Sequence, residues 1–205
     1  MPQFPGGDKG ILSYFKNNST STTISFAERT DYHIDGYGND AGALDLDGDG
    51  KPEIFGTVNG PDEISIFKNT SVPGTASFTA KIDLPTGSWP STVSAGDLDG
   101  DSKADLVVSN TNSGGISIFK NNSSVGSLTF LPKTDIATGG SVFGNGINDL
   151  NGDGKPDLYV PNFNSGTLSL LANNSTSGTI SFQPKSDISV ADHPSVVHSG
   201  DLDGD

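Results

Sequence analysis

One nine-residue acidic string recurs along this chain at a fixed interval, and it constrains the fold more than any other feature. The copies read Asp45-Leu-Asp47-Gly-Asp49-Gly-Lys51-Pro-Glu53, Asp97-Leu-Asp99-Gly-Asp101-Ser-Lys103-Ala-Asp105 and Asp149-Leu-Asn151-Gly-Asp153-Gly-Lys155-Pro-Asp157. A fourth begins Asp201-Leu-Asp203-Gly-Asp205. Starts at 45, 97, 149 and 201 set a period of 52 residues without insertion. Periods of this order belong to solenoids, propellers or arrays, in which each repeat buries its faces only against its neighbours. Oxygen-bearing side chains stand at positions 1, 3, 5 and 9 of each complete string, with Gly at position 4. Short acids two apart on a tight turn converge on one point, and Gly permits the backbone angles that the turn needs.

Any single Asp-x-Asp-Gly string is an ordinary Asx turn. Four copies in register favour metal binding. Hard oxygen donors suit Ca2+, which takes about 6–8 of them, and the position-7 carbonyls of Lys51, Lys103 and Lys155 would add a backbone ligand. An EF-hand shares the ligands at positions 1, 3 and 5 but needs Glu at position 12 and flanking helices. Position 12 here is Gly56, Val108 and Val160, which excludes it.

Composition agrees with short strands joined by turns. Only 32% of the residues are apolar, 27 are Gly, and no apolar run approaches the length of a membrane span. The opening MPQFPGGDKG lacks the charged and apolar regions of a signal peptide. The absence of Cys excludes disulfides, thiolate metal sites and cysteine nucleophiles. A net charge of −14 argues against nucleic acid or an anionic membrane as partner. Of the 25 Asp and Glu, 14 lie in the four strings, so the acidity is largely a property of these loops.

Between strings, the same grammar repeats. A strongly apolar strand follows each loop (Ile54-Phe55, Leu106-Val-Val108, Leu158-Tyr-Val160), then an alternating one (Ile64-Ser-Ile-Phe67, Ile116-Ser-Ile-Phe119, Leu168-Ser-Leu-Leu171). Ile11-Leu-Ser-Tyr-Phe15 is the first copy of the alternating strand, and Met1-Pro-Gln-Phe4 takes the place of the strand before it. A Ser/Thr/Gly turn leads to a strand centred on Phe26, Phe78, Phe130 or Phe182, and a small, Gly-rich strand precedes the next loop. No helix is expected. The reading is all-β: a β-propeller built from four 52-residue, four-stranded repeats (1–52, 53–104, 105–156 and 157–205) in a single domain, 1–205. A β-solenoid is the alternative, although its coils are usually shorter. The terminal strand Val196-Val-His-Ser-Gly200 would complement the first repeat, so the ring could close within one chain or by strand exchange between two. A monomer is favoured over the exchanged dimer.

The strings GDLDGDGKxDL and SGxISIFKNNS resemble the FG-GAP/VCBS repeat family, the blades of integrin α-subunit heads and of many bacterial surface proteins. The resemblance covers essentially the whole chain. It implies a calcium-loaded propeller working in adhesion or as a module attached to other domains. The family's ligands would correspond to Asp45, Asp47, Asp49 and Glu53, to Asp97, Asp99, Asp101 and Asp105, and to Asp149, Asn151, Asp153 and Asp157. Asp201, Asp203 and Asp205 would open a fourth site. Glu53 at position 9 and Ser102 at position 6 depart from the family pattern.

Ten of the 11 Lys and Arg occupy repeated positions, and only Lys9 is unique. Catalytic sites normally break repeat symmetry with residues found once, so the chain is read as non-enzymatic. A domain of a polysaccharide lyase is the enzyme-related alternative. The residues that do break symmetry are Tyr37, Trp89 and His193, in register with Ser141 just before each Gly-rich strand. Rings of this kind can stack on a sugar or anchor a protein contact, or cover the gap between blades. The expected role is an extracellular or cell-surface protein-interaction or adhesion module, with a carbohydrate-binding, lectin-like propeller as the alternative. Asn17, Asn18, Asn69, Asn121, Asn122, Asn173 and Asn174 each precede x-Ser/Thr. They are read as turn residues, and as glycan sites only in a eukaryotic secretory pathway.

Overall fold

The computed structural model describes residues 10–200, and the expectations for Met1–Phe4, Lys9, Asp201, Asp203 and Asp205 lie outside them. Every described element is a strand. Strands β1 (Ile11–Tyr14) and β2 (Thr30–His33) form a two-stranded sheet. Three four-stranded antiparallel sheets follow, each built from strands consecutive in sequence. The first contains β3 (Tyr37–Leu44), β4 (Glu53–Asn59), β5 (Glu63–Phe67) and β6 (Ile82–Pro85). The second contains β7 (Pro90–Gly96), β8 (Asp105–Asn110), β9 (Gly115–Phe119) and β10 (Thr134–Ala137). The third contains β11 (Gly146–Asn148), β12 (Asp157–Asn162), β13 (Thr167–Leu171) and β14 (Ser186–Ser189). These are propeller-like blades, and the acidic string is the connection from the first strand of each to the second.

Alternation of side chains along a buried strand accounts for the core. In β8, Leu106 and Val108 point to one cluster, shared with Phe55, Ile64 and Ile66 of the preceding blade. Val107 points to the other, shared with Leu158 and Val160 of the following one. The second strand of each blade is thus buried on both faces, with its apolar residues grouped just after the loop (Ile54-Phe55, Leu106–Val108, Leu158–Val160) and buried polar ones at its ends. Each such Leu or Val contributes about 1.5–3 kcal/mol by burial.

The first strands of successive blades, and the segment leading into β11, are joined by polar contacts near the repeat spacing. Val93 N–H donates to Asp40 Oδ2 (3.0 Å), Ser91 Oγ to the Val142 carbonyl (3.1 Å) and Thr92 Oγ1 to the Phe143 carbonyl (2.8 Å). Each residue therefore meets its near-equivalent one blade on. Two glycines on these strands are small because an aromatic ring lies across them. A Cβ at Gly42 would stand 2.6 Å from the Phe55 ring, its cross-strand partner, and Tyr159 covers Gly146 in the same way.

Two expectations are corrected. The fourth strand of each blade is not centred on Phe. Phe26, Phe78, Phe130 and Phe182 make isolated bridges to Asn17, Asn69, Asn121 and Asn173, and the paired fourth strand lies further on, around Asp31, Asp83, Asp135 and Asp187. The reason is a side-chain bond across the pair: Ser65 Oγ donates to Asp83 Oδ1 at 2.8 Å, and Ser117 and Ser169 bond to Asp135 and Asp187 at 2.6 Å. Lys81, Lys133 and Lys185 then pair with the same carboxylates. Second, Val196–Gly200 forms no strand. It lies against the third blade through Ser199, which accepts from Asn148 Nδ2 (2.9 Å) and shares a hydrogen bond with the Tyr159 hydroxyl (2.8 Å). Among the described residues no strand pairing joins it to β1 or β2, so the expected closure is not found there.

Candidate metal centres

The three described acidic loops share one backbone design. The position-1 carboxylate accepts from the N–H groups of positions 4 and 6, each at 2.8 Å: Gly48 and Gly50 on Asp45, Gly100 and Ser102 on Asp97, Gly152 and Gly154 on Asp149. The turn needs left-handed backbone at position 4, where φ is 73°, 72° and 77° in the three loops. Position 6 is left-handed too, and Ser102 adopts φ 67° where the other loops have Gly. In the third loop these N–H groups, first that of Gly154, hold the Asp149 carboxyl below its ordinary value.

The position-9 acid clamps the loop to the blade. Glu53 accepts from Leu46 N–H (2.8 Å) and Asn69 N–H (3.2 Å), and Asp105 from Leu98 N–H (3.0 Å) and Asn121 N–H (2.8 Å). Asp157 repeats the pattern with Leu150 (3.0 Å) and Asn173 (2.7 Å). All three acids are buried. Burial pushes the Asp105 carboxyl up to about 6, against the pull of its two backbone donors.

The backbone engages both oxygens of the acids at positions 1 and 9. At positions 3 and 5 of the first two loops it reaches only Oδ1 of Asp47 (3.2 Å), Asp49 (2.9 Å) and Asp101 (3.0 Å), and leaves their Oδ2 atoms and both oxygens of Asp99 without a backbone donor. Asp45, Asp47 and Asp49 bring carboxylate oxygens within 4.8 Å of one another, as do Asp97, Asp99 and Asp105. In the third loop, where Asn151 replaces an acid, no such group of three forms among the described residues. The Asp47 and Asp99 side chains are fully buried, and Asp99 Oδ1 has no hydrogen-bond partner at all. A buried carboxylate oxygen without a partner is costly. An all-oxygen set with such an atom fits a hard divalent cation.

Sequence reasoning missed the two residues that reach into these groups. Lys68 Nζ pairs with Asp47 and lies 3.7 Å from Asp49 Oδ2. Lys120 Nζ pairs with Asp99 and lies 3.0 Å from Asp101 Oδ2. The bond to Asp47 is the main reason that the Lys68 pKa is raised. Burial works against the Lys120 charge, yet its bonds to Asp99 and Asp101 outweigh that and raise its pKa as well. The available signal was a constant offset of 21 residues from the position-3 acid to the lysine that ends the alternating strand.

A family model for the FG-GAP-like repeat matches residues 45–108, 103–160 and 149–205. The chain belongs to the FG-GAP-like repeat family. A search of curated proteins finds no match. Each FG-GAP-like match runs from one acidic loop through the next or beyond it, so the family pattern and the 52-residue period describe the same units.

Two further features of these FG-GAP-like repeats concern surfaces. The sequon residues Asn69, Asn121 and Asn173 are buried and bonded, which makes them structural. The Asn121 amide donates to the Leu46 carbonyl of the preceding loop (2.7 Å), and Asn173 does the same to Leu98 (2.8 Å). Tyr37 opens β3, Trp89 immediately precedes β7, and His193 follows β14. Tyr37 and Trp89 are 52% and 44% exposed, so part of each ring is open to a partner. The Asn59 amide, turned to satisfy its neighbours, accepts from Trp89 Nε1 at 3.2 Å. The exposed His193 ring packs on Phe163, with centroids 4.6 Å apart.

Proposed function

We propose that this chain is a calcium-stabilised β-propeller module that binds protein partners at the cell surface or outside the cell and carries out no catalysis. The observation that carries the calcium assignment is the buried, unpartnered Asp99 Oδ1 within the Asp97, Asp99 and Asp105 group. The carboxylates and the loop backbone would hold the ion, which would neutralise acids that otherwise repel one another. The non-catalytic reading is supported by the basic residues, since Lys68, Lys81, Lys120, Lys133 and Lys185 are all committed to carboxylates of the repeat. Exposed Tyr37 and Trp89 favour a contact face for a protein, with a glycan as the second reading.

Thermal melts in excess calcium and in chelator test the proposal. At a free concentration a hundred times the dissociation constant, each ion contributes about 2.7 kcal/mol. For a chain of this size that corresponds to roughly 5–10 °C per site. Equal midpoints, with metal analysis showing that the chelator stripped the protein, refute the calcium assignment. Screening the calcium-loaded chain against surface proteins and a glycan array separates the two partner classes.

A further inference from the structure

Loops 1 and 2, starting at Asp45 and Asp97, differ from loop 3, starting at Asp149, in two linked respects. Each of the first two carries four acids, and a lysine from the same blade, Lys68 or Lys120, sits on its position-3 acid. Loop 3 carries three acids, because Asn151 holds position 3, and Ala172 stands where that lysine would be. Four acids against one lysine in the first two loops, and three against none in the third, leave the same local balance. Acid and lysine are present together or replaced together within one chain.

The geometry explains the coupling. Each ammonium lies between the position-3 and position-5 carboxylates, Lys120 within 3.0 Å of Asp101 Oδ2 and Lys68 within 3.7 Å of Asp49 Oδ2. Those are oxygens that a divalent ion at the loop would use. The substitution is incomplete, since Asp99 Oδ1 stays buried with no partner beside Lys120. An ammonium offers three donors, whereas calcium gathers about 6–8 oxygens.

We propose that Lys68 and Lys120 are tethered counter-ions of loops 1 and 2. In the calcium-free protein each ammonium holds the acids of positions 3 and 5 together. It leaves, still charged, when the ion enters. Loops 1 and 2 therefore exchange one cation for another, while loop 3 has no internal substitute and depends on the ion alone. This inference rests on the calcium reading above and adds an order among the three loops: the tethered lysine weakens calcium binding at the first two and protects their blades when calcium is scarce.

Two substitutions test it in the full chain, with calcium as the probe. Lys120→Met removes the charge and keeps the bulk, and Ala172→Lys adds a tethered cation at an exposed position of the third blade. Calcium binding is followed by calorimetry with ions counted by native mass spectrometry, and stability by melts in chelator. In Lys120→Met one binding step should move to roughly tenfold lower free calcium, within the usual range of coupling between sites. Its midpoint in chelator should fall, because a buried acid loses its partner. In Ala172→Lys one step should move to roughly tenfold higher calcium. Lys120→Arg, which keeps the charge, should leave the wild-type steps in place. Binding that is unmoved or weakened in Lys120→Met overturns the proposal, as does unmoved binding in Ala172→Lys. A wild-type chain that takes up no calcium overturns the calcium reading as well. Wild-type uptake with unmoved variants overturns this proposal alone.

Discussion

Replacing Asn121 by Ala removes one small side chain that joins two blades. Asn121 is 0% exposed. Its amide nitrogen donates to the carbonyls of Leu46 (2.7 Å) and Ala104 (2.9 Å), and its Oδ1 accepts from Ser123 N–H (2.9 Å). Leu46 belongs to the acidic loop of the preceding blade, and Ala104 immediately precedes β8 in its own. Alanine would strand these groups in an interior that water does not reach. Unmet buried donors and acceptors cost about 1–3 kcal/mol each. The carbonyls regain part of this by relaxing, so we expect a total near 3 kcal/mol. For a chain of this length that is roughly 6–12 °C in melting midpoint. The control is Asn122→Ala, an exposed neighbour in an overlapping sequon, which should change stability by less than about 0.5 kcal/mol. Asn121→Asp should be worse than Ala, because it sets a second carboxylate beside Asp105, which the Asn121 N–H already caps. Thermal and urea unfolding in saturating calcium measure all three. If Asn121→Ala falls within about 1 kcal/mol of Asn122→Ala, the cross-blade amide is not a structural bond and the account of the repeated Asn is wrong.

Three other outcomes are expected. Asp99→Ala should lose about one calcium per chain by ion counting and leave the other loops loaded, since each loop draws its ligands from itself; loss of every ion would show that the loops are not independent. Trp89→Ala should abolish binding to whatever partner a screen identifies with little change in the melt, whereas Trp89→Gly should also relieve the left-handed backbone (φ 60°) at that residue; a large loss of stability in Trp89→Ala would assign the ring to blade packing instead. On the outer strands, the Lys185 and Ser169 hydrogen bonds hold the Asp187 carboxyl below 3.8, and Asp135 is also lowered, its bonds to Lys133 and Ser117 outweighing burial. A folded value below the unfolded one gives stability that is present above about pH 3.8 and lost as pH falls through the folded value. The pair Asp135→Asn and Asp187→Asn should therefore flatten the acid limb of stability below about pH 4, and a limb as steep as in the wild type would contradict this.

The sequence by itself determined the repeat, the loops and the order of strands. A period of 52 with acids at fixed offsets needs no partner to be seen, because the turn chemistry of Asp45–Glu53 and its copies is local. The apolar runs at Leu106–Val108 and Leu158–Val160 were legible for a related reason: where a strand is covered on both faces, consecutive residues are buried alike and the alternation of apolar and polar is lost. The Phe strands were misplaced because periodicity shows that Phe78 is repeated and not what it touches. The backbone pairing of β6 with β5, with the Ser65–Asp83 bond across it, puts the fourth strand at Ile82–Pro85. The carboxylates at positions 1 and 9 looked like the others in sequence, yet backbone N–H groups engage both of their oxygens, whereas positions 3 and 5 of the first two loops keep an oxygen that no backbone donor reaches. That division, and the lysines that enter from the alternating strand, depend on contacts between segments 16–21 residues apart or more. The bridge from Asn121 to Leu46 spans 75 residues. Such contacts exist only after the blades have packed, since a hydrogen bond between distant segments is set by the tertiary approach of two backbones and leaves no local signature in the chain.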